Sequence, residues 1–268
     1  MASKYLGRDD APFGAQIWEA LDGIVVGAAR SQLSARRLLE IEGPFGLALK
    51  SIPLPDTTAR LGDASLMASP ALPVPLIETT FALSARDLAA FEETGFSLDS
   101  QTVAEAAIRA AQAEDTLLLE GNKELGLEGL LTAKGAQSVT LGKWDETGSA
   151  ANDVVKALTA LDAAGFHGPY TLALAPGLYN HLLRILPQGF QTELQHIESI
   201  VGGKVVKAPG IKKGGVLLAS GKQFASIVIG QDMATGFIGP GGSGFEFKIS
   251  ESLAPWIKAP SAVCVLKG

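Results

Sequence analysis

The sequence predicts an α+β fold, and three observations carry that reading. Apolar residues recur at helical spacing in several long segments. A proline-rich stretch with no helical period separates the first of these from the rest. The chain then closes on short strand candidates divided by glycine-rich turns.

Taken in order, residues 15–39 place Ile17, Leu21, Ile24, Val25, Ala28 and Leu33 on one helical stripe, with Trp18 beside it. The helix is expected to end before a strand over residues 36–42. Gly43-Pro44 closes that strand, because proline presets φ and glycine permits the tight bend. Residues 47–74 hold Pro53, Pro55, Pro70 and Pro73 and read as an extended arm, since a long structureless loop is uncommon inside a compact domain. Residues 75–83 read as a strand, and Ser84 with Asp87 three residues on starts a short helix that stops near Gly95. Residues 99–119 form the longest predicted helix, with Val103, Ala107, Ala111 and Leu118 along one face. A further helix over 150–164 ends at Gly165, a strand follows over 169–174, and a helix over 177–186 is stopped by Pro187. Beyond the 187–191 loop come a helix over 192–201 and strands over 204–207, 215–219, 225–229 and 245–249. Gly239 to Gly244 is read as a turn between strands.

Composition narrows the function classes. Of 268 residues, 47% are apolar and 19% charged, with mean hydropathy +0.24; subunit interfaces are the expected place for that surplus. No apolar run approaches the roughly 18–20 residues of a membrane helix. The first ten residues carry Lys4, Arg8, Asp9 and Asp10, unlike a secretory signal. The single cysteine, Cys264, allows no intrachain disulfide and fits a reducing cytoplasm, as a buried structural thiol. A net charge of −6 without a Lys/Arg stripe argues against a nucleic-acid binder.

Catalytic patterns do not assemble. His167, His181 and His196 lie 14 and 15 residues apart, with no metal-binding spacing among them. The Gly-Lys pairs at 142, 203 and 221 lack the hydroxyl of a phosphate loop, and no Gly-x-Ser-x-Gly elbow occurs. The carboxylate pairs Glu92-Glu93 and Glu114-Asp115 sit on predicted helices, where neighbours diverge by about 100° and share no site.

Four landmarks in fixed order carry a resemblance: Arg36-Arg-Leu-Leu-Glu-Ile-Glu-Gly-Pro-Phe-Gly46, Leu125-Gly-Leu-Glu-Gly-Leu-Leu131, Gly168-Pro-Tyr-Thr171, and the block from Glu251 to Leu266. From about Tyr5 to the C-terminus the chain resembles the encapsulins (family 1, linocin-like), shell proteins that share the Hong Kong 97-type fold of tailed-phage capsids. The resemblance implies that fold, with a peripheral domain, an axial domain and an extended loop. The expected division is an N-terminal helix and strand over 1–46, the extended loop over 47–74, and a peripheral domain with its spine helix over 75–139. An axial domain over 140–237 follows, and C-terminal strands over 238–268 return to the peripheral domain.

The same resemblance implies a function. The chain is expected to be no enzyme but a subunit that self-assembles into a closed icosahedral, cytoplasmic nanocompartment. Its partners are then itself and a cargo enzyme with a C-terminal targeting peptide, with no nucleic acid and no membrane. The stretch from Leu125 to Gly135, with Leu141-Gly-Lys-Trp144, is most similar to members enclosing a ferritin-like protein for iron storage and oxidative-stress protection. Dye-decolourising peroxidase is the alternative cargo. Trp18, Leu21, Ile24 and Val25 fall where the family docks its cargo peptide, and Gln188, Gly189 and Phe190 where it forms its fivefold pore. Neither a cofactor nor a metal is expected: a flavin in one relative stacks on a tryptophan, whereas the matching place near Arg86 holds only Phe91. The competing readings are a phage or prophage major capsid protein, which shares the fold, and an unrelated α+β enzyme.

Overall fold

A computed structural model describes residues 4–95, 98–187 and 189–268. The chain divides into two compact units. One comprises Met1–Leu33, Gly43–Glu114 and Ile229–Leu253; the other comprises Ser34–Glu42, Asp115–Val228 and Ala254–Gly268.

In the first unit, helices α1 (Ala15–Gln32), α2 (Ala85–Thr94) and the first part of α3 (Ser100–Glu120) share a core with three antiparallel strands of a five-stranded sheet. Its central strand starts at Gly244 and pairs with Leu76–Ser84 from Gly244↔Ser84 to Ser252↔Leu76. On the other side it pairs with Ala234–Gly241, where the register shifts between Phe237 and Gly239. Period-2 alternation turns Phe81 and Leu83 inward, and the helical stripe of α1 turns Ile17, Leu21 and Val25 to meet them. Phe247 is fully buried at the centre, stacked on Phe81 at 5.1 Å, with Phe13 at 5.7 Å and Trp18 edge-on at 5.9 Å. Helix α2 begins as expected, with the Ser84 hydroxyl accepting from the Asp87 N–H, and ends at Gly95 in the left-handed region.

The arm is built from two short ribbons. Ser51–Pro53 pairs with Ala71–Pro73, and beyond them Thr57–Leu61 pairs with Ala64–Ala68 around a two-residue turn at Gly62-Asp63. Every residue of that outer hairpin is exposed, including Leu61 and Met67 at about 70%.

In the second unit, a five-stranded sheet runs in the order Val205–Lys207, Tyr170–Leu174, Gly215–Ala219, Val263–Lys267, Gln137–Thr140. Tyr170–Leu174 and Gly215–Ala219 are buried along their whole length, as their predominantly apolar runs require. Helices α4 (Ser149–Ala163) and α6 (Glu193–Val201) supply Val154, Ala157, Leu161, Ile197 and Val201 to this core.

Three expectations need correction. The helix begun at residue 15 stops at Gln32, and the expected 36–42 strand shortens to Glu40–Glu42, paired in parallel with Ala225–Ile229. The cause is Asp115, whose buried carboxylate accepts from the Ser34 N–H at 3.0 Å, the Ala35 N–H at 2.9 Å and the Ser34 hydroxyl. The backbone there is drawn into a 3₁₀ turn over Ala35–Arg37. Next, the helix expected over 177–186 is only α5 (Pro176–His181), because the chain reverses after it through an Ile185↔Thr192 bridge. The C-terminal strand Val263–Lys267 belongs to the second unit. It lies between Gly215–Ala219 and Gln137–Thr140, with Cys264 opposite Leu217. The strand starting at Gly244 runs on to Ile257, well past residue 249, because its polar residues Ser250, Glu251 and Ser252 are buried inside the pairing.

Candidate functional sites at the first helix and the 186–191 turn

The four residues singled out on α1 are not equally placed. Trp18, Leu21 and Val25 are buried in the unit's own core, and only Ile24 keeps part of its side chain exposed. The buried three pack against Phe247 and its neighbours, so little of their side chains is open to a partner. What α1 does present is a groove of about 630 Å³ along its Asp22, Val25 and Val26 side, with Leu47 and Met233 among the facing residues. Val26 is 43% exposed, and Gly23 and Gly27 beside it leave open space where side chains would stand.

One wall of the groove is the N-terminal segment, and Arg8 fixes it there. Its guanidinium forks onto the Asp22 carboxylate at 2.6 and 2.9 Å, donates through Nε to the Thr235 carbonyl at 2.8 Å, and lies 4.7 Å from the Trp18 ring. Sequence reasoning missed Arg8, Asp22 and Val26. A valine one position off the buried stripe, flanked by two glycines, was the available signal.

At the other candidate site, Gln188 lies outside the described residues. Gly189 and Phe190 stand at the tip of a tight turn, with Phe190 fully exposed. The Leu186 N–H donates to the Gln191 carbonyl at 3.0 Å, and the Gly189 N–H to the Leu186 carbonyl at 3.2 Å. A capping box on α6 fixes the far side: Gln195 N–H donates to the Thr192 hydroxyl, and Thr192 N–H to the Gln195 side chain. Leu183 and Ile185 are exposed on the same segment.

Elsewhere several polar side chains pair with one another. The Tyr170 hydroxyl donates to Asp162 at 2.6 Å, and burial followed by that bond pushes its pKa up to about 12. The same hydroxyl holds the Asp162 carboxyl below its ordinary value, with exposed His167 Nδ1 at 3.3 Å from it. Burial raises the Cys264 thiol to about 11. Among the described residues, no group of three or more His, Cys, Asp or Glu is placed to hold a metal ion. No described helix is long and apolar enough to cross a membrane.

Residues 3–254 match the linocin M18 family, described as encapsulating protein for peroxidase. The type 1 encapsulin shell protein EncA of Myxococcus xanthus (strain DK1622) is 30% identical over 277 residues, covering 98% of this chain and 96% of that one. Among solved structures, the virus-like particle of Pyrococcus furiosus superposes with TM-score 0.77 at 22% identity, over 94% of this chain and 100% of that one. The capsid of Myoviridae phage XM1 superposes with TM-score 0.65 at 15% identity, over 86% and 89% respectively. The α+β architecture described above is therefore the Hong Kong 97-type capsid fold. The chain belongs to the encapsulin family, whose members are shell proteins that assemble into a nanocompartment around a cargo.

Proposed function

We propose that this shell encloses a ferritin-like protein, and that the compartment serves iron storage and protection against oxidative stress in the cytoplasm. The observation that carries the cargo reading is the stretch from Leu125 to Gly135 with Leu141 to Trp144, which is most similar to shells of that class. The subunit itself contributes enclosure and not catalysis. The name of the matching family, encapsulating protein for peroxidase, favours dye-decolourising peroxidase as the second reading.

On this reading the cargo's C-terminal peptide lies along α1. Ile24 and Val26 are its apolar contacts, while Trp18, Leu21 and Val25 hold the helix in place from beneath. Gly189 and Phe190, with Gln188 between Pro187 and Gly189 in the sequence, line the passage through the shell. The testing experiment is negative-stain microscopy of particles purified from the native host, with mass spectrometry of their contents. Hollow, uniform shells holding a ferritin-like protein support the proposal, and shells holding a haem peroxidase replace it with the second reading. Particles densely filled with nucleic acid would instead mark a phage-type capsid.

A further inference from the structure

The 186–191 turn is held at its stem by one side chain. Arg184 donates through Nε to the His181 carbonyl at 2.9 Å. Its two terminal nitrogens reach the Asp145 carbonyl at 2.8 Å, the Trp144 carbonyl at 2.8 Å and the Glu193 carboxylate at 3.1 Å. Glu193 is fully buried, and its other oxygen accepts from the Gly148 N–H at 2.8 Å. Arg184 and Glu193 are also joined through the backbone, Glu193 N–H to Arg184 carbonyl at 2.8 Å, just behind the Ile185↔Thr192 bridge.

This brace reaches well outside the turn. Residues 142–148 form a separate loop, fixed at its start by Asp153, which accepts from the Gly142 N–H at 2.7 Å and the Trp144 indole N–H at 3.1 Å. Its end is fixed by Glu193, and its middle by Arg184. A cavity of about 470 Å³ lies between this loop and the turn, lined by Thr147, Gly148, Leu186, Gly189, Gln191 and His196.

We infer that Arg184 is the positioning residue of the candidate passage, and that residues 142–148 form a second element of the same opening. Only a planar guanidinium can serve acceptors on three segments at once; an ammonium at the same place is a single point charge on a flexible stem. The turn tip exposes Phe190 completely, so packing at the tip does not set its position. Its position is set at the stem, by Arg184 and Glu193. The inference rests on the passage reading proposed above.

The test uses assembled particles that hold a dextran-bound fluorophore quenched on contact, without coordination, by both aqueous Co²⁺ and a bulkier cobalt chelate, and the entry of each is followed by stopped-flow quenching. Four variants are compared with wild type: Phe190→Ala, Arg184→Ala, Arg184→Lys and Glu193→Gln. Phe190→Ala, which touches only the tip, is expected to change the entry rate and so to check the passage reading by itself. Arg184→Ala is expected to change the ratio of chelate to Co²⁺ entry by threefold or more in particles of unchanged size. Arg184→Lys is expected to fall between it and wild type. Should Arg184→Ala fail to assemble, Arg184→Lys and Glu193→Gln carry the test on the same ratio.

If Phe190→Ala alters entry while every Arg184 and Glu193 variant matches wild type, the positioning role is overturned and the passage stands. If none alters entry, the passage reading itself falls. A lowered unfolding temperature with an unchanged entry ratio marks Arg184 as a plain brace and also overturns the inference.

Discussion

At the scale of single residues, the buried polar groups are more informative than the apolar ones, because each must be matched to keep its burial favourable. Asp153 is an example. Burial would raise its pKa, but the Lys156 ammonium, the Gly142 N–H and the Trp144 indole outweigh that and hold it below its ordinary value of 3.8. A carboxylate with a depressed folded pKa contributes stability above its unfolded pKa, and that contribution is lost as pH falls through the lower folded value. Asp153→Ala is therefore expected to cost about 2–4 kcal/mol at pH 7, read by chemical denaturation, because three donors lose a charged acceptor. The gap between variant and wild type should narrow below pH about 4. A gap that stays constant down to pH 2 would show that the carboxylate's charge is not what matters. Cys264 gives the opposite case. It is fully buried and raised to about 11, so at pH 8 a thiol reagent should label the folded protein at least a hundredfold more slowly than the protein in denaturant. Rapid labelling of native particles would contradict the burial. Leu21→Ala removes a fully buried side chain between α1 and the sheet and is expected to cost about 2–5 kcal/mol. A loss under 1 kcal/mol would mean that α1 is held by something other than this core.

At the scale of elements, the helices with a strong period were legible in the sequence, and so were the strands that are mostly apolar. Ser84 and Gly95 bounded α2, and Gly215–Ala219 and Ala225–Ile229 fall where their apolar runs end. What was illegible depended on distant partners. Asp115 is 81 residues from Ser34, and its carboxylate ends the local helical pattern there. Likewise Ser250 to Ser252 look like the end of a strand until Gln231 is seen donating to the Ser252 hydroxyl from its N–H and to the Ser250 hydroxyl from its side chain. The α1 residues were legible as an apolar stripe, and such a stripe marks first what a helix buries at home. The arm was legible as extended, though its hairpin pairing was not. An isolated two-stranded ribbon is marginal in water, and this one has all ten strand residues exposed. Support from another copy of the chain is therefore expected. Replacing residues 57–68 with a short Gly-Ser link should leave the far-ultraviolet dichroism of the subunit nearly unchanged while abolishing closed particles in electron micrographs. Closed shells at wild-type yield would show that the hairpin is dispensable for assembly.

At the scale of the whole molecule, the apolar excess and the acidic balance become properties of an assembly. Exposed apolar side chains such as Leu61, Met67 and Ile185 account for part of the high mean hydropathy, and closure over many copies gives them somewhere to go. The charge has no such outlet. Each copy carries 22 basic and 28 acidic residues, a net −6, and closing the shell repeats that charge around one lumen. A closed surface of one sign lowers the potential of the space it encloses, so cations accumulate inside whatever the local charge of the passage. Salt limits the effect, since the Debye length is about 30 Å at 0.01 M but only about 8 Å at 0.15 M. Cationic tracers should therefore enter hollow particles faster than anionic tracers of equal size at about 0.01 M salt, and the ratio should approach one by about 0.5 M. A ratio that stays constant across that range would place selectivity in the width of the passage instead. Faster entry of the anion at low salt would mean that the acidic residues face outward and the lining of the lumen is basic.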